Sequence, residues 1–402
     1  MKNNILLATL IAFALVGCVN SKQPQQSHPA LPHQVEIAPE NNTLKLSTLF
    51  KDYRIIPLQG EPLNCVIDVA VADSMLVIGG KTENSSVHLY TMDGKYKNHM
   101  ITTGRGPQEA YNIQSFKLTD SVTVEILCNF AERLFTYSLK ENKIVKQRNL
   151  PKEIIGSEDF IRLDTARYAF FKPMKASLSN KNDKYKINIL NLNTNKIERQ
   201  FIPITPNDEY ICFSQTRRFH KRDGKCLYYD VFSPGIYQIC PDSLSLYIAF
   251  EEGKYGFPRA LLEKEYRSFD EFAAVCEQCP YIWGHIDMAE SSKYIFSTYR
   301  YKNSFYLNVI DKTTMTSKSY THIYDDLITD ATFNMSEDVL WSISAISNAQ
   351  IFSIEPFQLK EIIAQKKKDG TFEAYQKKHP QPCALADSLA DDDNSFIILF
   401  YE

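Results

Sequence analysis

The densest cluster of cationic side chains in this chain is Thr216–Arg222, which reads Thr-Arg-Arg-Phe-His-Lys-Arg. The planar guanidinium group of Arg matches the geometry of a carboxylate, and an aromatic residue on the same strand can help to hold a sugar. Arg217, Arg218 and His220 are therefore candidate binding residues. The alternative interpretation is a solvated strand end, where the same charges face water.

A glycine-rich segment, Gly104–Tyr111, reads Gly-Arg-Gly-Pro-Gln-Glu-Ala-Tyr. It lacks the spacing and the Lys of a phosphate-binding P-loop, and its two Gly and its Pro are typical of a tight turn. Arg105 and Glu109 either pair to brace that turn or face a ligand in a central channel. The second alternative makes both of them candidate binding residues.

Trp283 and His285 lie in a segment that reads Tyr-Ile-Trp-Gly-His-Ile-Asp. Trp is a common platform for carbohydrates, so both residues are candidate binding residues. The alternative is a Trp packed in the core. Trp341, in Asp-Val-Leu-Trp-Ser-Ile-Ser, alternates like a core strand residue and is interpreted as structural.

The sequence offers little for metal or redox chemistry. Cys276 and Cys279 form one C-x-x-C pair, whereas a zinc ribbon needs two such pairs. The pair follows the end of a predicted helix rather than the helix start that lowers a thiol pKa, so a local disulfide or inert thiols are expected. Asp391–Asp393 lacks the spacing of an EF-hand. Signatures such as Gly-x-Ser-x-Gly and His-Glu-x-x-His are absent from the sequence, so we predict no catalytic residue, metal or cofactor.

The N-terminus reads as a secretion signal. Lys2 supplies a positive charge, and Ile5–Val16 is an almost unbroken apolar run, too short to span a bilayer but typical of a signal peptide. The run ends in Leu-Val-Gly-Cys at Cys18, which resembles a bacterial lipobox. We expect a signal peptide over residues 1–17 and a lipid anchor on Cys18, with an ordinary secretory signal as the alternative.

The residues that follow Cys18 are rich in Gln, Ser, Pro and Asn, and they predict a flexible tether over residues 18–45. In other lipoproteins an Asp directly after the acylated Cys favours inner-membrane retention, and a nearby acidic pair is typical of surface export in Bacteroidetes. This chain has neither feature. We therefore expect attachment to the outer membrane, on its periplasmic face, with the cell surface as the alternative.

Composition predicts one globular domain over residues 46–402. The chain of 402 residues is 44% hydrophobic and 23% charged, and its formal charge of −3 argues against nucleic-acid binding. The 23 Tyr and 24 Phe favour strands.

Of nine Cys, eight lie outside the lipobox. Two of these, Cys226 and Cys240, flank a predicted hairpin and are either a cross-strand disulfide or two buried thiols.

A pattern that recurs six times predicts the fold. Each copy is an alternating apolar run, a polar turn and a second run, and the copies begin at Val87, Arg133, Tyr185, Gly235, Phe305 and Gln350. The offsets of 46, 52, 50, 70 and 45 residues are close to the period of about 40–50 residues that is the signature of propeller blades. We therefore predict an all-β protein, a six-bladed β-propeller of four-stranded antiparallel blades.

Two helical insertions and a closing strand complete the predicted fold. Residues 258–276 have apolar side chains at helical spacing, and residues 357–391 contain further short helices. The chain ends in Ser395–Glu402, which reads as a buried strand. This strand suits ring closure with Tyr53–Leu58, because an open ring leaves unpaired sheet edges.

Several of these features together resemble a known family. The G-x-G-P-x-E motif of Gly104–Glu109, the Ile-Tyr-x-Ile run after Ser233-Pro234-Gly235 and the acidic residues before the last strand are similar to those of six-bladed β-propeller lipoproteins common in Bacteroides, of the TolB-like and NHL-like type. The family usually has Asn-Pro where this chain has Asn394-Ser395. The resemblance covers nearly the whole mature chain and implies a propeller, and it implies little about activity.

A lipid-anchored propeller of this kind is expected to be a binding module for a glycan, a peptide or a partner protein. One alternative is a hydrolase or lyase acting on a sugar or lactone, and another is a scaffold in an envelope complex. Clustered carboxylates or His at the channel mouth would favour the enzyme. Arg and aromatic residues without paired acids would favour the binding module, and an exposed apolar patch would favour the scaffold.

Overall fold

The structure is a computed structural model that describes residues 31–63, 65–72, 74–81, 85–172, 184–209, 217–284, 288–335, 342–390 and 393–402. Its strands form small sheets that are mainly antiparallel, as the repeats predict. The predictions for some positions fall outside the described residues, and these positions are Cys18, His285, Trp341, Asp391 and Asp392.

Three strands precede the first full sheet, and each pairs with a strand far along the chain. They are β1 (His33–Glu36), β2 (Thr43–Lys45) and β3 (Asp52–Pro57). Val35, Ile37 and Leu44 are buried. The predicted tether over residues 18–45 therefore does not extend over residues 33–45, because a few apolar side chains in that polar stretch suffice to pair and pack two short strands.

The first two sheets each contain four strands in chain order. The first consists of β4 (Cys65–Ala72), β5 (Met75–Lys81), β6 (Ser85–Thr91) and β7 (Tyr96–His99). A short parallel pair follows, made of β8 (Thr102–Thr103) and β9 (Glu109–Ala110). The second sheet consists of β10 (Ile113–Asp120), β11 (Thr123–Cys128), β12 (Arg133–Ser138) and β13 (Lys143–Asn149).

The third and fourth sheets repeat this order. The third consists of β14 (Asp159–Arg162), β15 (Arg167–Phe171), β16 (Tyr185–Asn191) and β17 (Lys196–Pro203). The fourth consists of β18 (Phe219–Arg222), β19 (Lys225–Tyr228), β20 (Gly235–Cys240) and β21 (Ser243–Glu251). It gains a fifth strand because β1 pairs in parallel with β21.

The remaining sheets differ in size. The fifth consists of β22 (Ile282–Trp283), β23 (Met288–Glu290), β24 (Tyr294–Tyr301), β25 (Ser304–Asp311) and β26 (Thr316–Tyr320). A three-stranded sheet joins β2 to β27 (His322–Asp325) and β28 (Ala331–Asn334). The last sheet consists of β29 (Ser342–Ile346), β30 (Ala349–Ile354), β31 (Phe396–Tyr401) and the early strand β3.

The sheets are arranged as a propeller, but their number differs from the prediction. Among the described residues seven sheets contain three or more strands, so the predicted count of six blades is not confirmed. Six of these sheets have four or five strands, and the seventh is the sheet β2-β27-β28. The repeats do not reveal this seventh sheet, because one of its three strands comes from the beginning of the chain.

Neighbouring sheets cover each other's apolar faces. Val77 and Leu89 of the first sheet pack with Phe116 and Ile126 of the second, and all four side chains are buried. Equivalent clusters join the third sheet to the fourth and the last sheet to the first. One sheet alone cannot bury both of its faces, so the stacking is what makes each sheet stable.

The hairpin turns explain why the sequence pattern repeats. Gly94, Asn142 and Asn195 have positive φ angles of 82°, 53° and 55°, a region that Gly and Asn adopt more readily than other residues. Gly94 is required on steric grounds, since a Cβ there would lie 1.8 Å from the carbonyl oxygen of Pro57. The polar turn residues are thus dictated by the backbone.

Helices occupy the two predicted insertions. The α-helices are α1 (Arg259–Glu263), α2 (Phe269–Gln278), α3 (Pro356–Lys368), α4 (Phe372–Lys378) and α5 (Pro380–Ser388). Short 3-10 turns cover Leu46–Thr48, Lys152–Ile154, Pro206–Glu209 and Gly253–Tyr255. The single helix predicted near residues 258–276 is divided in two, because the Ser268 hydroxyl accepts a hydrogen bond from the Glu271 N–H (3.2 Å) and begins a new helix.

The last strand closes the ring as predicted. β31 lies between β30 and β3, and its Ile398 stands opposite Ile55 on one side and Phe352 on the other. The sixth repeat has no second strand of its own, because the chain continues after Ile354 into α3. The N-terminal and C-terminal segments therefore complete one sheet together.

We expect Ile398→Ala to lower the free energy of unfolding by about 2–5 kcal/mol, because it opens a cavity at the closing strand. Val145→Ala is the control, since Val145 is 46% exposed on β13 and should cost no more than about 0.5 kcal/mol. Urea denaturation measures both changes. Equal losses in the two variants would contradict the proposed role of the closing strand.

Candidate functional site

A central cavity of about 320 Å³ is lined by residues from six different sheets. The lining comes from β4, β10, β14, β18 and β23 and from the region of β29, which are inner strands of those sheets. Lys221 and Ser347 line the cavity and are exposed. The cavity therefore reaches solvent near the end of β18 and the turn that follows β29.

The lining carries more positive than negative charge. Its five cationic side chains are Lys117, Arg162, Arg217, Lys221 and Arg222, and its two carboxylates are Asp68 and Glu290. The difference, five minus two, is three positive charges in a protein whose formal charge is −3. The positive charge is thus concentrated locally, in a cleft whose walls strengthen its field.

An ion pair crosses the cavity between Arg217 and Asp68. Arg217 lies two residues before β18 of the fourth sheet, and Asp68 lies in β4 of the first. Arg217 Nη1 is 3.0 Å from Asp68 Oδ1. Burial raises the pKa of Asp68 above its usual value, although Arg217 and Lys117 oppose the shift. The pair connects two sheets that are separated along the chain by two others.

Asp159 joins three inner strands beside the cavity. Its Oδ2 accepts hydrogen bonds from the backbone N–H groups of Arg218 (2.7 Å) and Phe219 (2.9 Å). Its Oδ1 accepts one from the Ser115 hydroxyl (2.6 Å) and lies 3.0 Å from Lys117 Nζ. A fully buried carboxylate is thereby held by donors from β10 and from the start of β18.

His220 lines the cavity among several cations. Burial, together with Lys117, Arg217 and Arg222, lowers the pKa of His220 well below its usual value. The imidazole is therefore neutral at pH 7. Among the described residues no hydrogen-bond partner is found for its Nε2.

Glu290 and Arg222 lie where the inner strands end. Glu290 Oε1 is 2.6 Å from Lys312 Nζ, and burial raises the pKa of the Glu290 carboxyl although Lys312 opposes the shift. Arg222 donates to the carbonyl oxygen of Ala345 (3.0 Å) and to the Ser347 hydroxyl (3.3 Å). Arg222 thus links the fourth sheet to the last.

The cationic cluster at the start of β18 is divided between two environments. Arg217 and His220 line the cavity, so the interpretation as a solvated strand end is wrong for them. Arg218 is buried and pairs with Asp230 (3.4 Å), which also binds Lys186 (2.7 Å). Burial opposes ionisation of Asp230, but Lys186 and Arg218 outweigh it and lower the pKa of Asp230 well below its usual value. We assign Arg218 a structural role.

Arg105 and Glu109 lie outside the set of residues that line the cavity. The Glu109 carboxylate accepts a hydrogen bond from the Gly106 N–H (2.8 Å), and the Arg133 guanidinium donates to the Gly106 carbonyl oxygen (2.9 Å). Arg105 lies over the ring of Tyr111. Glu109 therefore braces the turn, with the backbone as its partner rather than Arg105.

The other candidates are structural or outside the described residues. Trp283 is 2% exposed, and the Arg300 guanidinium lies 4.5 Å from its ring centroid, so it is a packed Trp. His285 is not described.

Cys276 and Cys279 are free thiols, and burial raises the pKa of Cys276 to about 12, which opposes a redox role. The register pairs Cys226 with Ile239 rather than Cys240, and both thiols are free.

Sequence reasoning missed the acidic residues of the site. Asp68 and Glu290 line the cavity and Asp159 lies behind it. The available signal was a lone acidic residue inside an apolar strand, as in the Val-Ile-Asp-Val run around Asp68. Such a residue is costly to bury without a partner, so it indicates a cation nearby in space.

Comparison with known proteins defines the family. The chain belongs to the family described as "Domain of unknown function (DUF4934)", which matches residues 33–401. A search of the curated proteins found no match. The narrower resemblance to TolB-like and NHL-like propellers stays a prediction.

A solved structure of another protein shares the fold. A predicted exported protein of Bacteroides fragilis superposes with a TM-score of 0.71 at 14% identity, over 92% of this chain and 99% of that one. The extracellular domain of a predicted one-component system of B. thetaiotaomicron has a TM-score of 0.37 at 11% identity, over 75% of this chain and 32% of that one. The β-propeller domain of the Trilobed protease of Pyrococcus furiosus has a TM-score of 0.35 at 10% identity, over 70% and 71%.

Two further observations concern the described residues alone. They contain no group of three or more His, Cys, Asp or Glu side chains placed to hold a metal ion. None of their helices is both long enough and apolar enough to cross a membrane.

We expect Asp159→Ala to lower the free energy of unfolding by roughly 3–5 kcal/mol, because it leaves Lys117 and two backbone N–H groups without their buried partner. Asp242→Ala is the matched control, since the Asp242 side chain is 71% exposed in its ion pairs with Arg167 and Arg199 and should cost about 0–1 kcal/mol. Denaturation midpoints in urea compare the two variants. Similar losses would rule out Asp159 as a link between the inner strands.

Proposed function

We propose that this protein is a lipid-anchored β-propeller of the cell envelope that binds a ligand in its central cavity. The observation that carries the proposal is the convergence of inner strands from six sheets on one cavity that reaches solvent. Seven of the twenty lining residues carry charged side chains, whereas the faces between neighbouring sheets are packed with apolar side chains. Ligand sites of this kind commonly have volumes of about 300–1,000 Å³.

The same observation supports a ring of six blades. One inner strand from each of the six larger sheets contributes to the lining, which includes Asp68, Lys117, Arg162, His220, Glu290 and Ser344. In this proposal the sheet β2-β27-β28 is an insertion that follows the fifth blade.

Binding in the cavity is tested by blocking it. Ala345→Trp places a bulky side chain in the lining, and Val145→Trp adds the same side chain on an outer strand that is exposed. We expect at least one compound from a panel of sugars, uronates, short peptides and inorganic anions to raise the Tm of the wild-type protein and of the Val145 variant by a few degrees. The Ala345 variant should show no such rise, and an equal rise in all three proteins would contradict binding at the cavity.

The lipid anchor is supported by the Leu-Val-Gly-Cys sequence that ends at Cys18. We expect Cys18→Ser to move the protein from the membrane fraction to the soluble fraction, because a doubly or triply acylated Cys is the attachment. Fractionation and immunoblotting measure the distribution, with Ser21→Ala as the control. Continued tight attachment of the Cys18 variant would exclude this anchor.

An enzyme acting on a sugar or lactone is the second candidate, and one observation favours it. His220, Asp68 and Glu290 share the cavity, and a neutral imidazole can serve as a general base. A hydrolase or lyase would lose turnover in His220→Gln while keeping its fold. Absence of turnover on uronides and lactones, together with retained binding, would favour the binding module.

A further inference from the structure

We propose that the ligand of the central cavity is a small oxyanion, carrying a carboxylate or phosphate group that Arg162, Lys221 and Arg222 hold. This inference deepens the proposed function and rests on it. It assigns a chemical class to the ligand and a place within the cavity to its charged group.

Carboxylates of the protein itself neutralise two cations of the cavity lining. Lys117 lies 3.0 Å from Asp159, and Arg217 lies 3.0 Å from Asp68. Glu290, the other carboxylate of the lining, lies 2.6 Å from Lys312. Each carboxylate near the cavity therefore already has a cationic partner.

The three other cations of the lining are Arg162, Lys221 and Arg222. In the described part of the chain, no carboxylate lies within ion-pair distance of Arg162, Lys221 or Arg222. Arg162 Nε donates to a carbonyl oxygen, that of Asp164 (3.0 Å), and Arg222 donates to neutral oxygens as well. Arg222 acts on the Glu290 carboxyl and Arg162 on the Glu125 carboxyl only beyond ion-pair distance. Among the described residues the three charges therefore have no carboxylate in direct contact, and they lie in or beside a partly enclosed cavity, where solvent screens them less than at an open surface.

The behaviour of His220 supports a positive potential at this place. Its pKa is lowered well below the usual value, first by burial and then by Lys117, Arg217 and Arg222. A field that opposes a proton on His220 favours a negative charge at the same place. The neighbouring carboxyls of Asp68 and Glu290 lie 3.0 Å from Arg217 and 2.6 Å from Lys312, so a cation already balances each of them.

Geometry then limits the size of the anion. The cavity of about 320 Å³ is at the small end of the range for ligand sites, which fits a molecule the size of an amino acid or a monosaccharide. Lys221 is exposed at the rim, so the anion can meet it on entry. The Arg222 guanidinium is held in place by Ala345 and Ser347, and a positioned guanidinium binds carboxylate or phosphate strongly.

The test uses inorganic phosphate, citrate and glucose on the full chain purified in detergent, at pH 7 and constant ionic strength. We expect phosphate, citrate or both to raise the Tm with increasing concentration, whereas glucose does not. The anion that binds more tightly shows whether the site recognises phosphate or carboxylate. Combining Lys221→Gln with Arg222→Gln should weaken the binding at least tenfold. Combining Lys196→Gln with Arg199→Gln, which removes the same charges from the exposed outer strand β17, should leave it unchanged.

Two outcomes would overturn the inference. One is no stabilisation of the wild-type protein by either anion, and the other is equal stabilisation of both double variants. If the cavity double variant does not fold by circular dichroism, Lys221→Gln alone is used, since this side chain is exposed. If anions fail but a neutral compound stabilises the wild-type protein and not Ala345→Trp, the inference fails while the proposed function stands. If Ala345→Trp abolishes the stabilisation by none of the compounds, the inference and the proposed function both fail.

Discussion

Each sheet of this propeller has two apolar faces, and only its neighbours in the ring can cover both of them. The buried clusters that join the first sheet to the second and the last sheet to the first show this packing. The requirement explains the path of the termini, since a ring that stopped short would expose an apolar face and a sheet edge. The last strand β31 fills this gap by pairing with β30 on one side and with β3 on the other.

Ring closure also brings the inner strands together, and with them their charged residues. A carboxylate taken out of water needs a partner, and here that partner comes from another sheet, as Lys117 does for Asp159 and Arg217 for Asp68. Buried ion pairs are weak evidence for stability, because apolar residues of similar volume often stabilise as well or better. Buried ion pairs also lie outside the cavity lining, as between Asp230 and Lys186 (2.7 Å), so they do not by themselves set the cavity apart.

The charges at the cavity bear on the choice between a binding module and an enzyme. Asp68 and Glu290 already have cationic partners, whereas three cations at or near the rim have none at ion-pair distance among the described residues. A site with unmatched cations is suited to holding an anion. An enzyme would also use His220 together with Asp68 and Glu290. In a binding module the role of His220 is to add a neutral polar group to the wall.

The strands, the turns and the closing strand were predictable, because alternation and turn residues such as Asp93-Gly94 act between neighbours in the chain. The number of sheets was not, since Thr43 of β2 pairs with His322 of β27, 279 residues further along the chain. Arg217 and His220 were named as binding residues from their local cluster, but the partner of Arg217 is 149 residues away. The sequence alone does not distinguish Asp68, Asp159 and Glu290 from ordinary strand residues. Local periodicity comes from backbone hydrogen bonding, which the sequence encodes residue by residue, whereas the charge of the cavity exists only once six distant strands meet in a closed ring.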